Sequence, residues 1–326
     1  MSMEQYLVEF DLDQNITILM PQRCCVAEAL AFKQTFLKAC QASPSAASII
    51  LDFSQTQFID SSGIGALANS IKESRKKKIS LLIKQASQQI MATLEMTGLL
   101  KYLHFEKQIK NLEKKAVHTD FPITHPSVAS KFKRFIDIVG SVVGLGITAL
   151  MLIPIAVMIK LDNPGPILFS QVRRGWMGKP FKLRKFRSMV TNAETLKHKV
   201  KNEANGAIFK NANDFRITKF GSFLRRSSLD EFPQFWNVLR GDMSLVGTRP
   251  PTFEEVDKYE IPQWQRLDVK PGITGEWQVN GRSRIKNFND IIAMDLKYQR
   301  NWSHYYDLKL ILKTVKVIFS KNSGAL

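Results

Sequence analysis

RRSSLDEFPQFWNVLRGDMSLVGTRP, residues 225–250, sets two adjacent carboxylates, Asp230 and Glu231, in a segment that is otherwise basic and apolar. Arg225, Arg226, Arg240 and Arg249 lie in the same stretch, and its one other acid is Asp242. A carboxylate held among cations stays ionised at neutral pH, and cations also gather phosphate groups. The pattern suits an aspartate nucleophile or metal ligand working on a phosphorylated substrate. The spacing also fits helix capping: Ser228-x-x-Glu231 reads as a capping box, with Asp230 adding negative charge to the first turn. Phe232, Phe235, Trp236 and Leu239 continue at helical spacing, so both carboxylates are expected at a helix start under either reading.

Four more blocks accompany this one in a fixed order. They are the KRFIDIVG-like residues 133–140, LDNPGPILF (161–169), GKPFKLRKFRSM (178–189) and PGITGEWQVNGR (271–282). Together, from about Lys131 to the C-terminus, the chain resembles the bacterial sugar transferases, the small monotopic polyprenyl-phosphate phosphoglycosyl transferases. The resemblance implies transfer of a sugar-1-phosphate from a UDP-sugar to polyprenyl (undecaprenyl) phosphate, with release of UMP and initiation of a surface polysaccharide or glycoconjugate. It carries over Asp230 as nucleophile, forming an aspartyl-phosphosugar, and Glu231 as ligand of Mg²⁺. Arg225, Arg249 and Arg282 become candidate substrate-binding residues, the first two through planar bidentate contacts to phosphate. Arg225 and Arg249 also fit structural ion pairs with Asp242 or Glu231. Two departures stand out: Thr248 replaces the first proline of the family's Gly-Pro-Arg-Pro, and Asp214-Phe215-Arg216 stands where the family commonly has Asp-Pro-Arg. Gly272, Gly275 and Gly281 suggest backbone packed close to something, with the nucleotide one candidate.

Charge is unevenly divided. Residues 1–110 carry 12 Lys+Arg against 10 Asp+Glu, whereas residues 111–326 carry 35 against 19. A basic half of this kind suits nucleic acid, anionic lipid or phosphorylated small molecules. The apolar run beside it decides among them. Ile138–Ile159 is 22 residues without a charge, about 33 Å if helical and long enough for a bilayer. Lysines and arginines flank both of its ends, which marks both as cytoplasmic and disfavours a single crossing. Pro154 removes a helical hydrogen bond and offers a place to bend. The run therefore reads as a re-entrant helix–break–helix, about 134–160, broken at Pro154 and entering and leaving the cytoplasmic leaflet of a bacterial inner membrane. The family often has Ser before this proline; here it is Ile153, so a hydroxyl for the freed carbonyl has to come from elsewhere, with Thr148 the candidate. No nucleic-acid module accompanies the charge, and none is expected as a partner. The basic strand-like residues 181–187 read as solvated or headgroup-facing surface. Residues 307–320 alternate apolar residues with lysines and fit either an interfacial helix or one packed on the core.

Residues 1–108 alternate strands (15–21, 48–54, 79–84) with helices (26–39, 62–73), which argues a small sheet covered by helices. FIDSSGIGAL (58–67) resembles the STAS domains of anti-sigma-factor antagonists, which makes Ser61 a candidate phosphorylation site. The alternative is an N-cap at Asp60 or Ser61, with Gly63 and Gly65 allowing close packing. A STAS-binding protein or a second copy of the chain is the partner this implies. Cys24, Cys25 and Cys40, with no secretory signal ahead of them, read as packing residues rather than disulfides.

The fold class expected is thus α/β. A STAS-like mixed sheet with helices (1–108) and a linker (109–130) precede a mainly helical α/β, membrane-associated catalytic domain with a re-entrant helix (131–326). A different class of function fits the same halves: a membrane-tethered STAS signalling scaffold whose transferase domain is inert.

Overall fold

The structure is a computed structural model and describes residues 8–10, 15–42, 48–105, 121–211, 213–281, 285 and 287–319. It divides into two compact units.

Unit 1 comprises residues 1–124 together with two short later segments, 177–179 and 260–268. Its elements are β1 (Val8–Phe10), β2 (Ile16–Leu19), β3 (Arg23–Cys24), α1 (Val26–Ala42), β4 (Ser48–Asp52), β5 (Phe58–Ile59), α2 (Ser61–Lys77), β6 (Ser80–Lys84), α3 (Gln88–Thr97) and β7 (His104–Phe105). The main sheet runs β1-β2-β4-β6-β7, with β1 antiparallel to β2 and the other pairs parallel. Alternating Ile16 and Ile18, together with Ile49, Leu51 and Ile83, are sealed from solvent, and Phe32 and Phe36 of α1 are buried with them. This is the expected mixed sheet under helices; β1, β7 and α3 are additions the periodicity did not reveal. The Asp60 carboxylate caps α2, accepting from Ser62 N at 2.8 Å and Gly63 N at 3.0 Å. Cys24, Cys25 and Cys40 are free thiols, and burial pushes all three up in pKa.

Unit 2 comprises residues 125–176, 180–259 and 269–326. Its elements are α4 (Pro126–Ala129), α5 (Lys131–Asp162), β8 (Leu168–Arg174), β9 (Pro180–Phe186), α6 (Lys219–Arg226), α7 (Phe235–Arg240), β10 (Ser244–Val246), α8 (Phe253–Val256), β11 (Gly272–Thr274), α9 (Glu276–Asn280), α10 (Phe288–Arg300) and α11 (His304–Phe319). β8 and β9 form an antiparallel hairpin, and β10 pairs parallel with β11. α5 is a 32-residue helix with a mean hydropathy of 2.6 over its most apolar window, long and apolar enough to cross a membrane. Its contacts lie on one stripe. Lys133 donates to Asp307 (2.6 Å) and the Val246 carbonyl (3.0 Å). Arg134 caps the C-terminus of α7 through the Val238 and Leu239 carbonyls, and Asp137 accepts from Ser244 Oγ and Leu245 N. Farther along, Ile155 and Ile159 pack with Phe186 and Leu224. Leu150 (82% exposed) and Ile153 (74%) lead a bare apolar face on the other side.

Two sequence expectations change here. The helix runs on through Pro154 from Lys131 to Asp162. Thr148 does not serve the carbonyl that Pro154 leaves without a helical donor: its hydroxyl bonds Gly144 O, one turn back (2.6 Å), as threonines in apolar helices do. α11 buries Leu310 in a cluster with Val246, Val269, Val279 and Tyr298, while Leu308 and Leu312 stay exposed. It is thus core-packed on one face and apolar on the other.

Candidate active site

Asp230 and Glu231 lie on a 3₁₀ turn, Leu229–Gln234, that leads into α7. The expected capping box does not form. Ser228 takes a left-handed conformation (φ 57°) and makes no side-chain cap bond. Such a backbone is costly for a residue with a Cβ and is retained where surrounding structure dictates it. Here it turns Asp230 inward, to 6% exposure, next to Lys185 and Arg225. Lys185 Nζ lies 2.6 Å from Glu231 Oε1 and 3.9 Å from Asp230 Oδ2. Burial raises the Asp230 pKa to about 6 and Glu231 adds to the rise, against the pull of Lys185 and Arg225. The group is therefore mostly ionised at pH 7 yet poorly solvated, the condition of a reactive carboxylate.

Arg225 is placed by α6. Thr218 caps that helix by accepting from Gly221 N (3.0 Å), and a Cβ on Gly221 would sit 2.0 Å from the Ser188 carbonyl, so the helix can approach only as glycine. Arg225 Nε then donates to Ser188 Oγ at 3.0 Å. On the opposite wall Arg249 follows β10 and bonds both oxygens of Glu255 (3.1 and 2.9 Å). Burial opposes charge on Glu255, but Arg249 and Arg173 outweigh it and its pKa falls. Arg173 of β8 is itself lowered to about 10, by burial and then by repulsion from Arg249; it donates to the Pro250 carbonyl. Arg249 pairs with Glu255, and Asp242 pairs with Arg240 at 3.5 Å.

These groups line one open cleft of about 590 Å³, which also holds the buried bidentate pair Asp214–Arg216 (2.9 and 2.7 Å) and the Trp277 ring. Eight cationic side chains face six acidic ones around it. The volume suits a nucleotide-sized ligand, and the excess of cations suits an anionic one. Asp230, Glu231, Arg225 and Arg249 are thus brought together, while Arg282 lies outside the described residues. Ser61 belongs to unit 1.

Lys185, expected on a solvated or headgroup-facing surface, lines the cleft instead. The signal was present in the parity of its strand: Phe181 and Leu183 are buried, and residue 185 shares their face. Arg173 and Glu255 carry no comparable mark in sequence. The glycines of 271–282 are packed against protein: a Cβ on Gly272 or Gly275 would meet Gly247 backbone at 2.1 or 2.0 Å, and one on Gly281 the Ile285 side chain at 2.2 Å.

Among the described residues no cluster of three His, Cys, Asp or Glu side chains forms a metal cage. Mg²⁺ seldom needs one, since it is usually held by one or two carboxylates plus substrate phosphates and water. The half-exposed Glu231 carboxylate, beside Asp230, fits that donor set.

Residues 128–321 match the family described as bacterial sugar transferase, and residues 13–112 match the STAS domain. The chain is 43% identical over 254 residues to galactosyl transferase CpsE of Streptococcus agalactiae, covering 74% of this chain and 56% of that protein. It is 40% identical over 203 residues to the undecaprenyl-phosphate galactose phosphotransferase of Salmonella typhimurium, covering 60% and 42%. With the UDP-glucose:undecaprenyl-phosphate glucose-1-phosphate transferase of Escherichia coli it shares 42% over 190 residues, covering 56% and 39%. The chain thus spans about half the length of these curated relatives or somewhat less. Among solved structures, that of the Bacillus cell fate determinant SpoIIAA aligns with 32% of this chain and 92% of its own at 16% identity and a TM-score of 0.27.

Proposed function

The chain belongs to the bacterial sugar transferase family, and from that premise we propose that it transfers a sugar-1-phosphate from a UDP-sugar to polyprenyl phosphate. The observation that carries the reading is Asp230, a buried carboxylate with an elevated pKa between Lys185 and Arg225, at the wall of a cationic cleft. An Asp230 oxygen attacks the β-phosphorus of the donor; the bond from that phosphorus to the bridging oxygen breaks, and UMP departs with the electron pair. A phosphate oxygen of the lipid acceptor then attacks the same phosphorus. The aspartyl oxygen–phosphorus bond breaks, the carboxylate is restored, and the product is a polyprenyl diphosphosugar. No proton or redox equivalent is left over.

Lys185, Arg225 and Arg249 draw in the donor's phosphates and spread the charge that builds up during each displacement. Glu231 is the residue that would hold Mg²⁺, which when bound offsets repulsion between the anionic nucleophile and the anionic donor. Relatives' names, among them a UDP-galactose-lipid carrier transferase of Erwinia amylovora, give UDP-galactose and UDP-glucose as the donors to try first. The bare apolar face of α5 supports a place in the membrane, and the proposed reaction puts it at the cytoplasmic leaflet of the inner membrane, where both the donor and the lipid phosphate are within reach.

The test is UMP release by the purified protein in nanodiscs with polyprenyl phosphate, Mg²⁺ and a panel of UDP-sugars. Turnover with at least one donor, abolished in Asp230→Asn, is expected. No UMP and no lipid-linked sugar from any donor, or full turnover in Asp230→Asn, would overturn the proposal.

A further inference from the structure

Unit 1 contains more than the STAS region. Residues 260–268, a 3₁₀ segment centred on Trp264, and residues 177–179 belong to it although both arise from within the sugar transferase match. Their seating is specific. A Cβ on Gly65 of α2 would lie 2.5 Å from the Trp264 ring, and one on Gly178 would lie 3.1 Å from the ring's other edge. One indole is therefore held between two positions that only glycine fills without displacement. Asp268 accepts from Ser61 N at 3.0 Å, and Thr124 Oγ1 donates to the Asp268 carbonyl at 2.6 Å.

Ser61 is fully buried, with its backbone N–H and its side chain against the Asp268 carboxylate. Two carboxylates, Asp60 and Asp268, flank it, and Asp268 is pushed up to about 7 by burial and by Asp60. The pocket tolerates a neutral serine and resists any further negative charge.

We propose that the face of α2 around Ser61 is a docking surface whose occupant is this chain's own 260–268 segment, pinned at Trp264, and that negative charge at Ser61 releases it. Release is felt at the donor cleft through chain continuity. Residues 177–179 join β8 to β9, which carry Arg173 and Lys185, and residues 260–268 join α8, which carries Glu255, to β11. Because Ser61 is sealed while the segment is docked, opening precedes any modification there, and a charged group added in the open state holds the clamp open. The link to donor binding rests on the proposed transferase reading; the docking itself does not.

The test is hydrogen exchange on the full chain in nanodiscs, comparing wild type with Ser61→Ala, Ser61→Asp and Gly65→Ala, alongside the KM for donor. Ser61→Asp adds the charge. Gly65→Ala drives a methyl into the indole while favouring the helix itself. Both are expected to raise exchange across residues 258–270 at least tenfold and to raise donor KM several-fold, with α3 and β6 still protected. Ser61→Ala is expected to change neither. Unchanged protection of 258–270 in both altered variants would overturn the docking. Raised exchange with unchanged KM would overturn the coupling. If Ser61→Asp loses protection throughout unit 1, Gly65→Ala decides. The exchange readout needs no turnover, so failure of the proposed activity would be seen separately.

Discussion

Replacing Lys185 by methionine tests the electrostatics of the proposed nucleophile. Lys185 Nζ stands 3.9 Å from Asp230 Oδ2. At an effective dielectric near 20, a unit pair at that distance is worth about 4 kcal/mol. Water in the open cleft weakens this to about 2 kcal/mol, or roughly 1.5 pH units on the carboxylate. The sign follows from charge: loss of a neighbouring cation favours the protonated acid, so the Asp230 pKa rises from about 6 toward about 7.5. At pH 7 the ionised fraction then falls from about nine-tenths to about a quarter, a roughly fourfold loss in kcat/KM from titration alone. The lost attraction for donor phosphate lowers the whole curve at every pH, so height is a poor readout and the position of the acid limb is the informative one. UMP release measured from pH 5 to 9 at fixed Mg²⁺ gives that position, and the difference between variant and wild type cancels the effect of a cation bound at Glu231. Lys185→Arg keeps the charge and should leave the limb in place. If Lys185→Met scales the profile without moving its limb, Asp230 is not the titrating nucleophile and the reasoning fails.

The remaining predictions concern stability and topology. Gly144→Ala puts a methyl 2.4 Å from the Phe235 ring, whereas Gly146→Ala meets nothing within 4 Å; thermal denaturation in detergent should show the first destabilised by about 1–3 kcal/mol and the second unchanged or improved by up to about 1 kcal/mol. Asp268 has its folded pKa raised to about 7, so its contribution to stability is full below about pH 4 and is lost as pH rises to about 7, by up to about 4 kcal/mol. Asp268→Asn keeps the acceptor for Ser61 N, and its denaturation midpoint relative to wild type should therefore improve between pH 5 and pH 8; no relative gain would contradict the assignment. Single cysteines at positions 131 and 160, in a protein lacking Cys24, Cys25 and Cys40, should both react with an impermeant maleimide from the same side of sealed vesicles. Labelling from opposite sides would establish a crossing.

What could be read from sequence divides along a physical line. Period-2 burial at Ile16–Leu19 and the five buried residues of Ser48–Asp52 declare themselves because burial selects residue type locally. The helix Ser61–Lys77 was equally legible, since Asp60 caps it through its nearest neighbours. The carboxylate pair was visible as a contrast of charge within one segment. Its partners were not, because Lys185 and Arg173 reach the cleft from a hairpin some 50 residues away, and only the pairing of β8 with β9 fixes where they end up. The left-handed Ser228 was invisible for a related reason. Serine has no preference for that conformation, and the turn is imposed by the packing around it. The 260–268 segment shows the same limit at the scale of a unit. Nothing in IPQWQRL announces that its tryptophan belongs with Gly65, almost 200 residues earlier.

The arrangement of α5 bears on how, in the proposed reaction, a water-soluble donor and a lipid acceptor would reach one carboxylate. The helix is about 48 Å long at 1.5 Å per residue, ample for a bilayer. Its buried positions are Lys133, Asp137, Ser141, Gly144, Ile155 and Ile159, one stripe along its entire length. Lys133, Asp137 and Ser141 of its N-terminal half lie on that stripe, and Val142, Leu150, Ile153 and Leu161 lie off it, exposed. A helix of a soluble protein has the reverse distribution. The bare face suits hydrocarbon, while the stripe is occupied from one end to the other by β10, α7, β9 and α6. An upright crossing would carry those elements into the bilayer core, with Lys182, Arg184 and Arg226 among their charges. That insertion costs several kcal/mol per charge. The proposed embedding in one leaflet avoids it and would leave α6 and the turn bearing Asp230 beside the headgroups. Under the proposed function, a polyprenyl phosphate would present its phosphate to Asp230 without leaving the membrane, and a donor in solution would approach the same cleft from its open side.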